Sequence, residues 1–295
     1  MPFIGEIAAL GGAILWAFSS FLFTEATIRL GVIQLNIDRL ILAILLLLLT
    51  IFVFSIGFST TNTQMFYLFI SGIIGLVLGD TFLLASFKSI GPRITMLIMS
   101  FNPAVAAIFA YFMLGETLGL PIIIGMALTL AGITLVVMEK PKTKTKFKVT
   151  PNGVIFAFLG AFGQAFGLVF SKMAFLEGDI NSLTASLYRM LAALLIIVPL
   201  GIIMKQYRNP IKIYIKDKKL FLLVTIGSII GPYLGITLSF IAAINTKIGV
   251  ASTLLATVPI LMLPLSHYFY KEKLSFRSIA GAVIAVLGVQ LLFLF

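Results

Sequence analysis

Apolar runs of about 20 residues follow one another along the chain, separated by short polar breaks, and about 20 residues is the length a helix needs to cross the hydrocarbon core of a bilayer. The breaks predict ten spans, at 5–28, 33–56, 65–87, 92–115, 119–138, 152–176, 181–204, 219–243, 248–270 and 275–295. The expected fold class is therefore all-α and integral to the membrane. Composition agrees: 60% of the 295 residues are hydrophobic, 11% are charged, and the mean hydropathy is +1.16, whereas soluble domains carry about a quarter charged residues. The spans leave no room for a soluble catalytic domain. The opening residues, MPFIGEIAAL, lack the basic region of a secretory signal and run directly into the first span, which is read as retained.

The formal charge of +11 is a topology signal in such a chain. The connectors after spans 1, 3, 5, 7 and 9 hold 17 Lys and Arg, and the opposite set holds Lys247 alone. Arg39, Lys172 and Arg189 fall inside spans. Because basic connectors stay cytoplasmic, both termini are expected outside, in the inner or plasma membrane. Nucleic acid is not expected as a partner. The basic linker 139–151 is read as solvated, or as a contact for anionic headgroups.

The two halves align in order. Gly12, Ala13, Ala17 and Phe18 meet Gly160, Ala161, Ala165 and Phe166 at an offset of 148, and Arg39 meets Arg189 at 150. Gly75 and Gly79 meet Gly227 and Gly231 at 152, and Pro103, Glu116, Gly125 and Gly132 meet Pro259, Glu272, Gly281 and Gly288 at 156. A five-helix unit that is duplicated enters the membrane the second time from the other side, which makes an inverted repeat. The organisation expected is a first five-helix repeat over 1–138, the basic linker at 139–151 and a second repeat over 152–295. The doubled element P-x12-E with G-x6-G, and the paired first spans GGAILWAFSSFLF and LGAFGQAFGLVFSK, resemble the drug/metabolite transporter superfamily, specifically its ten-helix proteins with two EamA domains. The resemblance implies ten helices in two inverted repeats around a central cavity. It also implies alternating access and export or exchange of small metabolites, amino acids first and nucleotide- or lipid-linked sugars second.

Ionisable groups inside a bilayer cost at least about 2.5 kcal/mol and need a partner or a wet cavity. Asp80 and Arg39 are expected to meet on the cytoplasmic side of spans 3 and 2, near Asp38 and Glu25, as a structural pair or as a gate with Asp80 coupling transport to protons. Arg189, the repeat mate of Arg39, faces either Glu177 or Asp179 or an anionic group of the substrate. Trp16 and Gln164 take equivalent mid-span positions and offer an indole N–H, a stacking face and an amide, to a substrate or to neighbouring helices. Tyr188, Asn102 and Tyr233 are further candidates for substrate binding or for helix–helix hydrogen bonds. Pro103, Pro259 and the Gly231–Pro232 pair are expected to kink their helices.

The chain has no Cys and one His, His267, which excludes disulfides and thiolate metal sites. Neither a phosphate-binding G-x-x-x-x-G-K-[ST] loop nor H-E-x-x-H occurs. No enzyme, cofactor or metal is expected; the partners expected are a small-molecule substrate and the lipid bilayer. Against a transporter stand a partner subunit with no cargo and, least favoured, a membrane enzyme acting on lipid.

Overall fold

The structure, a computed structural model, describes residues 3–115, 119–138, 146–245, 254–255, 257–271 and 273–291. Within these the fold is all-helical: α1 (Ile4–Leu30), α2 (Val32–Val53), α3 (Asn62–Ser71), α4 (Asp80–Met99), α5 (Asn102–Leu114), α6 (Leu120–Val137), α7 (Pro151–Leu176), α8 (Ser182–Ile203), α9 (Pro210–Lys216), α10 (Lys218–Ser228), α11 (Ile236–Asn245), α12 (Val258–Tyr270) and α13 (Phe276–Leu291). Two π-helical segments, Gly72–Gly79 and Ile229–Gly235, join α3 to α4 and α10 to α11. Among the described residues seven helical stretches are long and apolar enough to cross a membrane, while Asn102–Leu114 and Phe276–Leu291 are shorter apolar helices.

Local chemistry sets the boundaries. α1 turns into α2 through Gly31 alone, at φ 90°, a conformation that favours glycine. Thr61 and Gln64 form a reciprocal capping box at the start of α3. The side chains of Thr150, Asn181 and Asp217 accept from backbone N–H groups at the starts of α7, α8 and α10. The break expected between the third and fourth spans is Gly91, at φ 79°, where the Phe147 ring would lie 2.6 Å from any added Cβ. Pro103 and Pro259 do not kink a helix as expected: each stands in the first turn, of α5 and α12, where its missing N–H has no helical partner to lose. Pro232 lies inside the second π-helical segment.

The halves interlock. The paired glycines bring α6 and α13 into backbone contact, since a Cβ on Gly132 would lie 2.4 Å from Ala285 N and one on Gly288 2.4 Å from Thr129 N. α7 of the second half lies along the first π-helical segment, where a Cβ on Gly167 would sit 2.8 Å from Gly75 Cα and one on Gly163 2.7 Å from Gly79 Cα. α1 lies in the same way along the second, with Ser19 against Gly231 and Trp16 against Gly235. These contacts correct one repeat offset. Gln164 is the mate of Trp16 at 148, so Gly79 is the mate of Gly235, and Gly75 that of Gly231, at 156 rather than 152. Glycines at 227, 231 and 235 recur every four residues, so a slip of about one helical turn leaves the sequence pattern unchanged.

Large apolar side chains such as Phe52, Phe112, Ile203 and Phe276 stay exposed on the outside. In a bilayer that surface meets acyl chains rather than water.

Candidate functional site

The π-helical segment Gly72–Gly79 ends on Asp80, whose backbone N–H reaches back to Gly75 O. The wider winding of such a segment turns carbonyls toward neighbouring side chains, and such segments recur at functional sites. Here Gly75 O also accepts from Gln164 Nε2 at 3.2 Å, and Leu76 O accepts from Asn36 Nδ2 at 3.0 Å. The same turn delivers the Asp80 carboxylate into the interior, where the residue is 5% exposed.

Both carboxylate oxygens of Asp80 are engaged. Arg39 Nη2 of α2 donates to Oδ2 in a buried ion pair, and Gln164 Nε2 of α7 donates to Oδ1. Arg39 is held on two further sides: its Nε donates to Asn36 Oδ1 at 3.0 Å, and its guanidinium carbon lies 5.6 Å from the centre of the Phe23 ring. Asn36 in turn donates to Thr81 Oγ1 at 3.1 Å. Arg189 of α8 lies within electrostatic reach of Asp80, and its Nη2 would be 3.2 Å from a Cβ on Gly75. Among the described residues its Nε is buried with no hydrogen-bond partner. Two guanidinium groups thus surround one carboxylate.

The expected pair of Arg39 and Asp80 is present, and Gln164 and Arg189 converge on it from the other half. Asp38 and Glu25 do not join it. Asp38 accepts from Gln34 and, at 2.5 Å, from Tyr214 Oη, while Glu25 accepts from Lys146 and from Tyr270 Oη. Of the two alternatives for Arg189, the bridge to Glu177 or Asp179 gives way to attraction to Asp80, because α8 turns that face inward against the π-helical segment. Trp16 takes the equivalent place in the other half, packed on Gly235.

Three candidates stand elsewhere. Tyr188, next to Arg189, points to the start of its helix and donates to Phe58 O at 3.2 Å. Tyr233 Oη lies 2.7 Å from Thr50 Oγ1 and ties the second π-helical segment to α2. Asn102 donates to Ala161 O at 3.2 Å, joining α5 to α7. Glu116 and Glu272 lie outside the described residues. Asn36 and Phe23 were not among the sequence candidates; the signal for Asn36 is its place three residues before Arg39, on the same helix face.

At the end of the molecule that carries the basic connectors, Arg29 Nη1 and Asp217 Oδ2 lie 3.3 Å apart and Lys146 pairs with Glu25. A cavity of about 390 Å³ opens there between Phe21, Glu25, Lys146 and Tyr270, and another of about 470 Å³ between Ile41, Tyr214, Ile215 and Phe221. Neither reaches Asp80. Beside the second cavity, burial first and then the hydrogen bond to Asp38 push the Tyr214 hydroxyl well above its ordinary range. Burial and the nearby Asp38 carboxylate also raise Tyr207.

The model of the EamA-like transporter family matches the chain twice, over residues 3–138 and 151–294. Comparison with curated proteins finds no match. One solved chain, described as "Crystal structure of protein", is similar with a TM-score of 0.70 and 16% sequence identity over 97% of this chain and 95% of that one, a likeness of fold. The two family matches cover nearly the whole sequence, one in each half. The chain belongs to the EamA-like transporter family, membrane transporters of the drug/metabolite transporter superfamily rather than enzymes.

Proposed function

We propose that the protein is a secondary transporter that exports or exchanges small metabolites, amino acids and related compounds first, by alternating access. In this reading ten spans form two inverted five-helix repeats, 1–138 and 152–295, that rock about a central cavity. Both termini lie outside, as the 17-to-1 distribution of Lys and Arg supports. One observation carries the reading: the charged and amide side chains of Arg39, Asp80, Gln164 and Arg189 are drawn from both halves into one cluster inside the bundle. Buried charge that links two moving halves is costly and has a use when its partners change. Arg39 and Asp80 serve as the gate, with Asp80 the group through which protons couple to transport, while Gln164, Arg189 and Trp16 face the substrate.

The test is reconstitution in liposomes, with radiolabelled amino acids trapped inside and matched unlabelled solute outside. Efflux or exchange of the trapped label above that from protein-free vesicles is expected, and it falls at least about tenfold in Asp80→Asn. A wild-type rate and unchanged pH dependence in Asp80→Asn would remove Asp80 from the mechanism.

A further inference from the structure

The repeat gives each member of the site a counterpart, and the two arginines are not treated alike. At 150 residues apart, Arg39 and Arg189 are mates. Arg39 has Asn36 on its Nε, Phe23 under its guanidinium and Asp80 on its Nη2. The same offsets that fit the contacts place Ser186, Ser171 and Ile236 at the positions of Asn36, Phe23 and Asp80 in the other half. Ser171 is turned away to Ser71, with 2.8 Å between the hydroxyl oxygens. Ile236 offers no acceptor. Every group that satisfies Arg39 is therefore replaced around Arg189 by a shorter or apolar one, and Arg189 Nε is left buried without a partner among the described residues.

A buried guanidinium N–H left without a partner is costly unless an acceptor arrives. Among the described residues Asp80 accepts from Arg39 and from Gln164 but not from Arg189, so it acts on Arg189 through its field. Two guanidinium groups and one carboxylate leave a single positive charge in the cluster. One carboxylate of a ligand neutralises it; an uncharged ligand leaves it unmet, and a dianion overshoots. The planar donor edge of arginine also matches a carboxylate in a way that a lysine ammonium does not.

We propose that Arg189 is the binding point for the carboxylate of a monoanionic ligand, with Asp80 fixing the limit at one negative charge. This rests on the transporter reading above for its consequence, and it narrows that reading from amino acids in general to those, and related compounds, that bear one net negative charge; the binding itself is measurable without transport.

The probes are 2-oxo monocarboxylates, each set against its own uncharged primary amide and against the corresponding dicarboxylate. Binding to the purified full chain is read as the shift in thermal unfolding, since a ligand that binds the folded state raises its apparent stability. The expected result is a preference for monocarboxylate over amide and over dicarboxylate of at least about tenfold, as the loss of a charged hydrogen bond implies. Arg189→Gln abolishes the preference, and Arg189→Lys, which keeps the charge, retains part of it. Equal shifts for acid and amide, or no shift with any acid, overturn the proposal. So does a preference that survives in Arg189→Gln. Flux of the amides at the rate of the acids sinks the anion site while leaving a transporter; acid-specific stabilisation with no flux of any probe sinks the transporter and leaves the site.

Discussion

Asp80 is the residue on which the buried cluster depends. Replacing it by Asn leaves Arg39 and Arg189 without their shared counter-charge, and breaking a buried pair from one side costs about 3–5 kcal/mol. Asp80→Asn is therefore expected to lower the unfolding midpoint in detergent, and Asp80→Asn with Arg39→Met to recover part of the loss, read by thermal melts of both variants. Tyr214 offers a test outside the spans. Its hydroxyl keeps its proton in the folded state above the ordinary value of 10.0, because it is buried and donates to Asp38. The folded chain then holds more protons than the unfolded one, so this contribution is complete below about pH 10 and is lost as pH rises through the raised folded value. Tyr214→Phe is expected to be less stable than the parent by about 1–3 kcal/mol at pH 8. The gap should close in melts above pH 10. Asp80 and Arg39 were legible because charges are rare in spans and each must find another. Tyr188 was not, since one step along a helix from Arg189 turns a side chain by about 100 degrees and sends it to a different neighbour.

Helix pairs in this molecule meet through glycine. α6 and α13 approach so closely at Gly132 and Gly288 that a side chain would enter the backbone of the facing helix. Gly288→Leu is expected to separate the pair and to cost at least about 1–3 kcal/mol, seen as a lower melting point and earlier proteolysis. The doubled G-x6-G spacing announced this interface in the sequence, because small residues at regular spacing are what lets helices touch in lipid. The two π-helical segments were not announced. Their glycines read equally well as ordinary helix packing, and the change of winding is settled by what lies opposite: α7 for the first, α1 for the second.

At the scale of the whole molecule, the distribution of basic residues makes orientation testable without a background to remove, since the chain contains no Cys. A single cysteine at the exposed position Ser59 is expected to react with an impermeant maleimide from outside the cell, and one at the exposed position Lys212 only after the membrane is opened. The reverse pattern would invert the topology. A second outcome concerns how the protein is put together. α7 is wrapped by α3, α4 and α5 of the other half, α1 by α10 and α11, and beyond residue 145 the linker sets Phe147 against Gly91 and Lys146 on Glu25. A protease site inserted between residues 139 and 145 and then cut should leave two fragments that still migrate and purify as one body. Either half made alone should lack partners for its glycine faces and be degraded. Once each copy of the repeat had come to supply the other's interior, the gene could again be split in two, but neither product could live without its twin.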